Sequence, residues 1–96
     1  MFTGTLEADL LLGDVHSLKG KRSVVRPLLA ELRRFECAVA EVGDPDLHRR
    51  SQVGVAAVAA DAEHVRDVLD RCERFIADRP DVELLSVRRR LFGDSD

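Results

Sequence analysis

Along residues 2–12 polar and apolar positions alternate. Thr3, Thr5, Glu7 and Asp9 fall on one side and Phe2, Leu6, Ala8, Leu10 and Leu12 on the other, the period-two pattern of a half-buried strand. The period then changes. Val25, Leu28, Leu29 and Leu32 recur at i, i+3, i+4 and i+7, which puts an apolar stripe on one face of a helix, with Ser17 as its N-cap. Pro27 lies inside that helix and removes a backbone donor, so a kink or a restart near Val24 is expected. Residues 36–43 form a second short apolar run, closed by a turn at Gly43-Asp44-Pro45-Asp46, and residues 53–60 form a third. Asp61 opens the most regular helix. There Val65, Val68, Leu69, Cys72, Phe75 and Ile76 share one face, while Asp67 with Arg71 and Asp70 with Arg74 are spaced as i, i+4 ion pairs on the other. Pro80 ends it, and residues 82–91 read as the last strand.

Strand, helix, strand, strand, helix, strand is the order of an α+β ferredoxin-like sandwich: an antiparallel four-stranded sheet, order 4-1-3-2, with two helices on one face. Right-handed crossovers then bring the loops after the first two strands to the same end of the sheet, so residues 16–22 should lie near residues 44–50. With 96 residues, 45% of them hydrophobic, the chain suits one domain over residues 1–92, with 93–96 as a disordered tail.

The formal net charge of −3 excludes a protein that grips nucleic acid through overall positive charge, so any such contact must be local. Leu10-Leu11-Leu12 is too short to cross a bilayer, and no basic stretch with a long apolar core follows Met1, which places the expected protein in the cytoplasm. Cys37 and Cys72 show no Cys-x-x-Cys spacing and read as buried, reduced thiols.

A local excess of positive charge does exist. His16-Ser17-Leu18-Lys19-Gly20-Lys21-Arg22 places three cations at a helix start, where the macrodipole favours anions by roughly 0.3–1 kcal/mol per group. Such a start fits a bound anion: phosphate, RNA backbone or an acidic partner. At 100° per residue, Lys19, Arg22, Arg26 and Arg33 fall within about a 60° arc beside the apolar stripe. A plain solvated face is the alternative. The candidate RNA- or anion-binding set is His16, Ser17, Lys19, Lys21, Arg22, Arg26, Arg49 and Arg50.

Other chemistry is sparse. Arg88 and Arg90 of the last strand are expected to pair across the sheet with Glu7 and Asp9. His16, Asp44, Asp46 and His48 should converge at one sheet end with mixed metal-ligand character, but the two aspartates flank a proline turn and can cap backbone amides instead. No metal, cofactor or catalytic residue is assigned. Ser23, Ser51 and both cysteines lack a base that would activate them, His64 reads as a surface residue, and the absence of asparagine from the chain removes the water-orienting group of acylphosphatases. Residues 53–60 are apolar on both alternating sets. The second set, Gly54, Ala56, Val58 and Ala60, would face away from the helices and could pack on another subunit in a homodimer.

The run from His16 to Val25, together with Val39-Ala40-Glu41-Val42-Gly43-Asp44-Pro45-Asp46-Leu47, resembles the YlxP-like family of small bacterial proteins, and the resemblance covers nearly the whole chain. It implies a ferredoxin-like fold, and because the family is one of unknown function no catalytic residues carry over from it. Genes of the family tend to lie beside those for transcription termination factors, translation initiation factor two and ribosome-binding factor A, an association that implies work around ribosome assembly or translation. Gly20 stands where the family usually has glutamate, which would complete a capping box with Ser17. His48 stands where it often has an aromatic. The resulting expectation is a non-enzymatic accessory protein that binds ribosomal or other structured RNA through phosphate contacts, without membrane or DNA. With four phenylalanines as the sole aromatics, base readout by stacking is not expected. The alternatives are a dimeric interaction module docking an acidic protein, and an enzyme or sensor binding a small anion or metal.

Overall fold

The structure, a computed structural model, describes residues 1–93; the rest of the expected tail, residues 94–96, lies outside them. Its elements are β1 (Phe2–Leu12), α1 (Leu18–Leu32), a 3-10 turn (Arg33–Phe35), β2 (Ala38–Glu41), β3 (Arg50–Ala59), α2 (Ala62–Ala77) and β4 (Val82–Phe92). The sheet runs β2-β3-β1-β4 with every neighbouring pair antiparallel. This is the ferredoxin-like α+β sandwich, with both helices on one face.

Alternation explains which face the helices cover. Leu6, Ala8, Leu10 and Leu12 of β1 are fully buried and meet Val53, Val55 and Ala57 of β3 in the same layer. Leu28 and Leu32 of α1 and Val65, Cys72 and Ile76 of α2 close that layer, each at 0% exposure. Gly4 allows α2 to come this close, since a β-carbon there would collide with Val65 Cγ1 and Leu69 Cδ1. The other face of the sheet stays open.

Three local expectations need correction. Of the kink or restart expected near Val24, the restart is overturned: helix α1 runs from Leu18 to Leu32 with Pro27 inside it. Pro27 is exposed and removes the one helix bond its N–H would have donated to the Ser23 carbonyl, and the buried Val25, Leu28 and Leu32 hold the turns on either side. Asp70 does not pair with Arg74: its Oδ1 accepts from Arg89 Nη1 at 2.8 Å, a cross-element partner that displaces the local one. Of the β4 arginines, Arg88 does reach Glu7 (2.6 Å), but Asp9 takes the Ser86 hydroxyl and Arg90 stacks over the Phe92 ring. Register accounts for this, because Glu7 stands opposite Arg88, Asp9 opposite Ser86 and Thr5 opposite Arg90.

Candidate functional site

The start of α1 is organised by Ser17. Its backbone is extended, its Oγ accepts from Gly20 N at 3.0 Å, and its carbonyl accepts from Lys21 N at 3.0 Å. One orphan amide of the helix start is thereby satisfied, and no acidic side chain stands in the first turn to complement the dipole. Lys19, Arg22 and Arg26 project from α1 as exposed side chains, followed by exposed Arg33 and Arg34. Arg33 Nη2 donates to Val39 O at 3.4 Å, on the outer edge of β2. Among the described residues Lys19, Arg22, Arg26 and Arg34 make no ion pair, whereas Arg71, Arg79, Arg88 and Arg89 each hold a carboxylate.

Lys21 does not belong to this ridge. It is 2% exposed, its ammonium sits 2.9 Å from Glu41 Oε2 and it donates to Pro45 O at 3.0 Å. The Ser51 hydroxyl donates to the same Glu41 oxygen at 2.8 Å. A buried ammonium without a partner would be strongly unfavourable, so Lys21 ties α1 to β2, to β3 and to the loop after β2. The helix wheel carried the signal: Lys21, Val25, Leu28 and Leu32 recur at i, i+4, i+7 and i+11, so the lysine lies on the apolar stripe. This contact also brings the α1 start and the 44–46 turn together. Between them lies a cleft of about 350 Å³, with Leu18, Val25 and Leu29 as apolar lining, Arg22 and Arg26 on one side and Glu41 and Asp46 on the other.

The remaining candidates disperse. Arg50 lines a depression with Asp9, Asp44 and Gln52, while Arg49 lines another with Gly13, Asp81 and Glu83, so neither joins the α1 cleft. His16 is exposed and stands 4.0 Å from Asp14. Asp44 Oδ1 accepts from Asp46 N at 2.9 Å, the capping turn expected around Pro45. Among the described residues no three His, Cys, Asp or Glu side chains are placed to hold a metal ion, so His16, Asp44, Asp46 and His48 do not form the ligand cluster their topology allowed.

A family model described as a protein of unknown function, DUF503, matches residues 3–89. The chain belongs to the DUF503 family. It is similar to the Bacillus subtilis (strain 168) protein named Uncharacterized protein YlxP, with 30% identity over 90 residues that cover 93% of this chain and 98% of the relative. Among solved structures it is similar to a de novo designed protein, Foldit4, at a TM-score of 0.57 and 14% identity, over 98% of this chain and 99% of that one. At that identity the likeness is one of fold alone. A fold by itself implies no activity, so function in this DUF503 member must be argued from its side chains.

Among the described residues, neither the cysteines nor Ser23 and Ser51 are placed as activated nucleophiles. Cys37 and Cys72 sit with their sulfurs 3.8 Å apart, and Cys37 Sγ donates to Leu32 O at 3.3 Å. Burial raises both thiol pKa values, that of Cys72 to about 12, which is the opposite of what a reactive thiolate requires. Ser51 is engaged by Glu41, and Ser23 Oγ donates to Lys19 O at 3.1 Å. Among the described residues no helix is long and apolar enough to cross a membrane.

Proposed function

We propose that this DUF503 protein is a non-enzymatic accessory factor of the bacterial cytoplasm that binds structured RNA, ribosomal RNA in the first place, through phosphate contacts from the outward face of α1. The observation that carries this reading is the row of exposed cations Lys19, Arg22 and Arg26, without acidic partners among the described residues, on a chain whose net charge is −3. Cations left unneutralised on one helix face are suited to a polyanion with regularly spaced charges. Shape and phosphate spacing supply the recognition. Phe35 and Phe75 are spent on each other, edge to face at 5.6 Å, and are not available as stacking platforms for bases. Family gene neighbourhoods around translation favour ribosomal RNA over other structured RNA.

The test is cosedimentation of the purified protein with ribosomal subunits at near-physiological salt, alongside titration of a structured ribosomal RNA fragment. Reversing Lys19, Arg22 and Arg26 to glutamate should lower affinity at least tenfold and leave the fold intact, because Lys21 is untouched. With three to five phosphate contacts, the logarithm of the wild-type binding constant should fall with that of salt at a slope of about −2 to −4. The apolar lining of the α1 cleft favours a second reading, in which the same cations dock an acidic protein segment. Nuclease digestion separates the two: retention on the ribosomal particle that survives removal of accessible RNA supports a protein partner.

A further inference from the structure

The open face of the sheet is divided lengthwise. Over β2 and β3 it presents Ala38, Ala40, Gly54, Ala56 and Val58, with Gln52 at one end, and over β1 and β4 it presents mostly longer side chains, Glu7, Asp9, Arg88, Arg90 and Phe92, interspersed with Thr3, Thr5 and Ser86. The small residues leave a shallow apolar trough of about 300 Å³ lined by Thr5, Glu7, Ala38, Ala40, Gly54 and Ala56. At one end of the face Val58 and Phe92 both stand opposite Thr3 on either side of β1, and they remain 62% and 36% exposed. β2 stops at Ala38, opposite Ala56, so the flank of Val58 is uncovered.

We propose that this face is the interface of a homodimer in which the tall β1–β4 half of each copy fills the trough of the other, with Phe92 seated against the partner's exposed Val58. The strand order β2-β3-β1-β4 supplies the geometry. A twofold axis running along the strands lays β4 of one copy over β2 of the other and β1 over β3, so high ground meets low ground twice in one isologous contact. Arg90 then lies over the level of Ala38, Arg88 over that of Ala40, and Phe92 over the gap where β2 has ended.

Charge and area both fit a second copy of this chain. Glu7 and Asp9 balance Arg88 and Arg90, and the Arg88–Glu7 pair and the Ser86–Asp9 hydrogen bond are already made within each chain. Two such faces therefore meet without net repulsion. Three strands of ten or eleven residues and the four-residue β2, at about 4.8 Å spacing, give a face on the order of 500–600 Å² per copy, at the lower end of specific interfaces. The expected dimer is thus weak and concentration-dependent. It leaves α1 on both outer surfaces, so it does not rest on the RNA reading.

Sedimentation equilibrium of the wild-type chain should show the mass rising from 10.7 kDa toward twice that value as concentration approaches about 100 µM. Val58→Glu and Phe92→Lys should each remain at the monomer mass while keeping the wild-type circular dichroism spectrum. Mixed one to one, they should associate again, because the heterodimer regains one native Phe92–Val58 contact and gains one Lys–Glu pair. Ala56→Arg, which fills the trough, is a second monomerising variant should either of the first two fold poorly. A wild-type mass that stays at 10.7 kDa would overturn the proposal. So would a dimer that survives Val58→Glu or Ala56→Arg, or a mixture that fails to reassociate.

Discussion

The two helices do the same structural work by different rules. Helix α2 follows every local preference. Asp61 Oδ1 caps it through His64 N at 2.7 Å, Glu63 stands in its first turn and Arg74 in its last. Its outer face is held by Asp67 with Arg71, and Asp70 and Glu73 together clasp Arg89 of β4. Helix α1 covers the same sheet with its own buried stripe, yet it has cations and no acid in its first turn, a proline in its interior and a lysine in its core. Each departure opposes stability, the misplaced cations by roughly 0.3–1 kcal/mol apiece. A chain that builds α2 without such departures had the means to avoid them in α1. Their concentration on one helix is what the proposed RNA contact would account for.

If the helices differ on their outer faces and not in their cores, truncating either core should be similarly damaging. Leu32→Ala in α1 and Leu69→Ala in α2 remove side chains that are 0% and 3% exposed, and each should lose about 2–5 kcal/mol in urea unfolding. A loss below about 1 kcal/mol at Leu32 alone would break the comparison, showing α1 to be loosely held. Next in size is the buried lysine. Glu41→Ala leaves the Lys21 ammonium with only Pro45 O, and should be destabilising by about 3 kcal/mol. Replacing the pair together by Lys21→Met and Glu41→Leu should recover most of that loss, since two apolar groups need no partners. Failure of the double variant to recover would mean that the pair also fixes the β2–β3 loop in a way packing does not.

What could be read in advance followed from periodicity. Alternation in β1 and the stripe of α2 located the layers, and the order of elements led to the sheet order. Contacts between elements were legible only where register decided them, as for Glu7 with Arg88. They were hidden where two partners competed, as for Asp70, which has Arg74 one turn away and Arg89 across the fold. The 3-10 turn at Arg33–Phe35 is too short to show any period. Among the candidate cations, charge drew attention away from position. Lys21 lay on the apolar stripe, and Glu41 shares the inward side of β2 with Val39, so both halves of the buried pair were visible in the pattern. Arg50 opens β3 while Arg49 lies in the bend before it, and the two line different depressions, which is why the run makes no single patch.

The smallest effect separates the start of α1 from its middle. Gly20 has ordinary room for a side chain, a β-carbon there meeting Ser17 Oγ at 3.4 Å and Val15 Cγ1 at 3.7 Å. Gly20→Glu replaces the poorest ordinary helix former, allows a reciprocal hydrogen bond back to Ser17 N–H and sets a carboxylate against the dipole. Together these should stabilise the domain by about 1–2 kcal/mol. The same carboxylate would stand next to Lys19 and repel phosphate. Higher stability with weaker RNA binding would therefore mean that the helix start is an anion site left without an acidic residue at the expense of stability. Higher stability with unchanged binding would move the contact down the helix to Arg22 and Arg26, and would make the first turn of α1 as purely structural as that of α2.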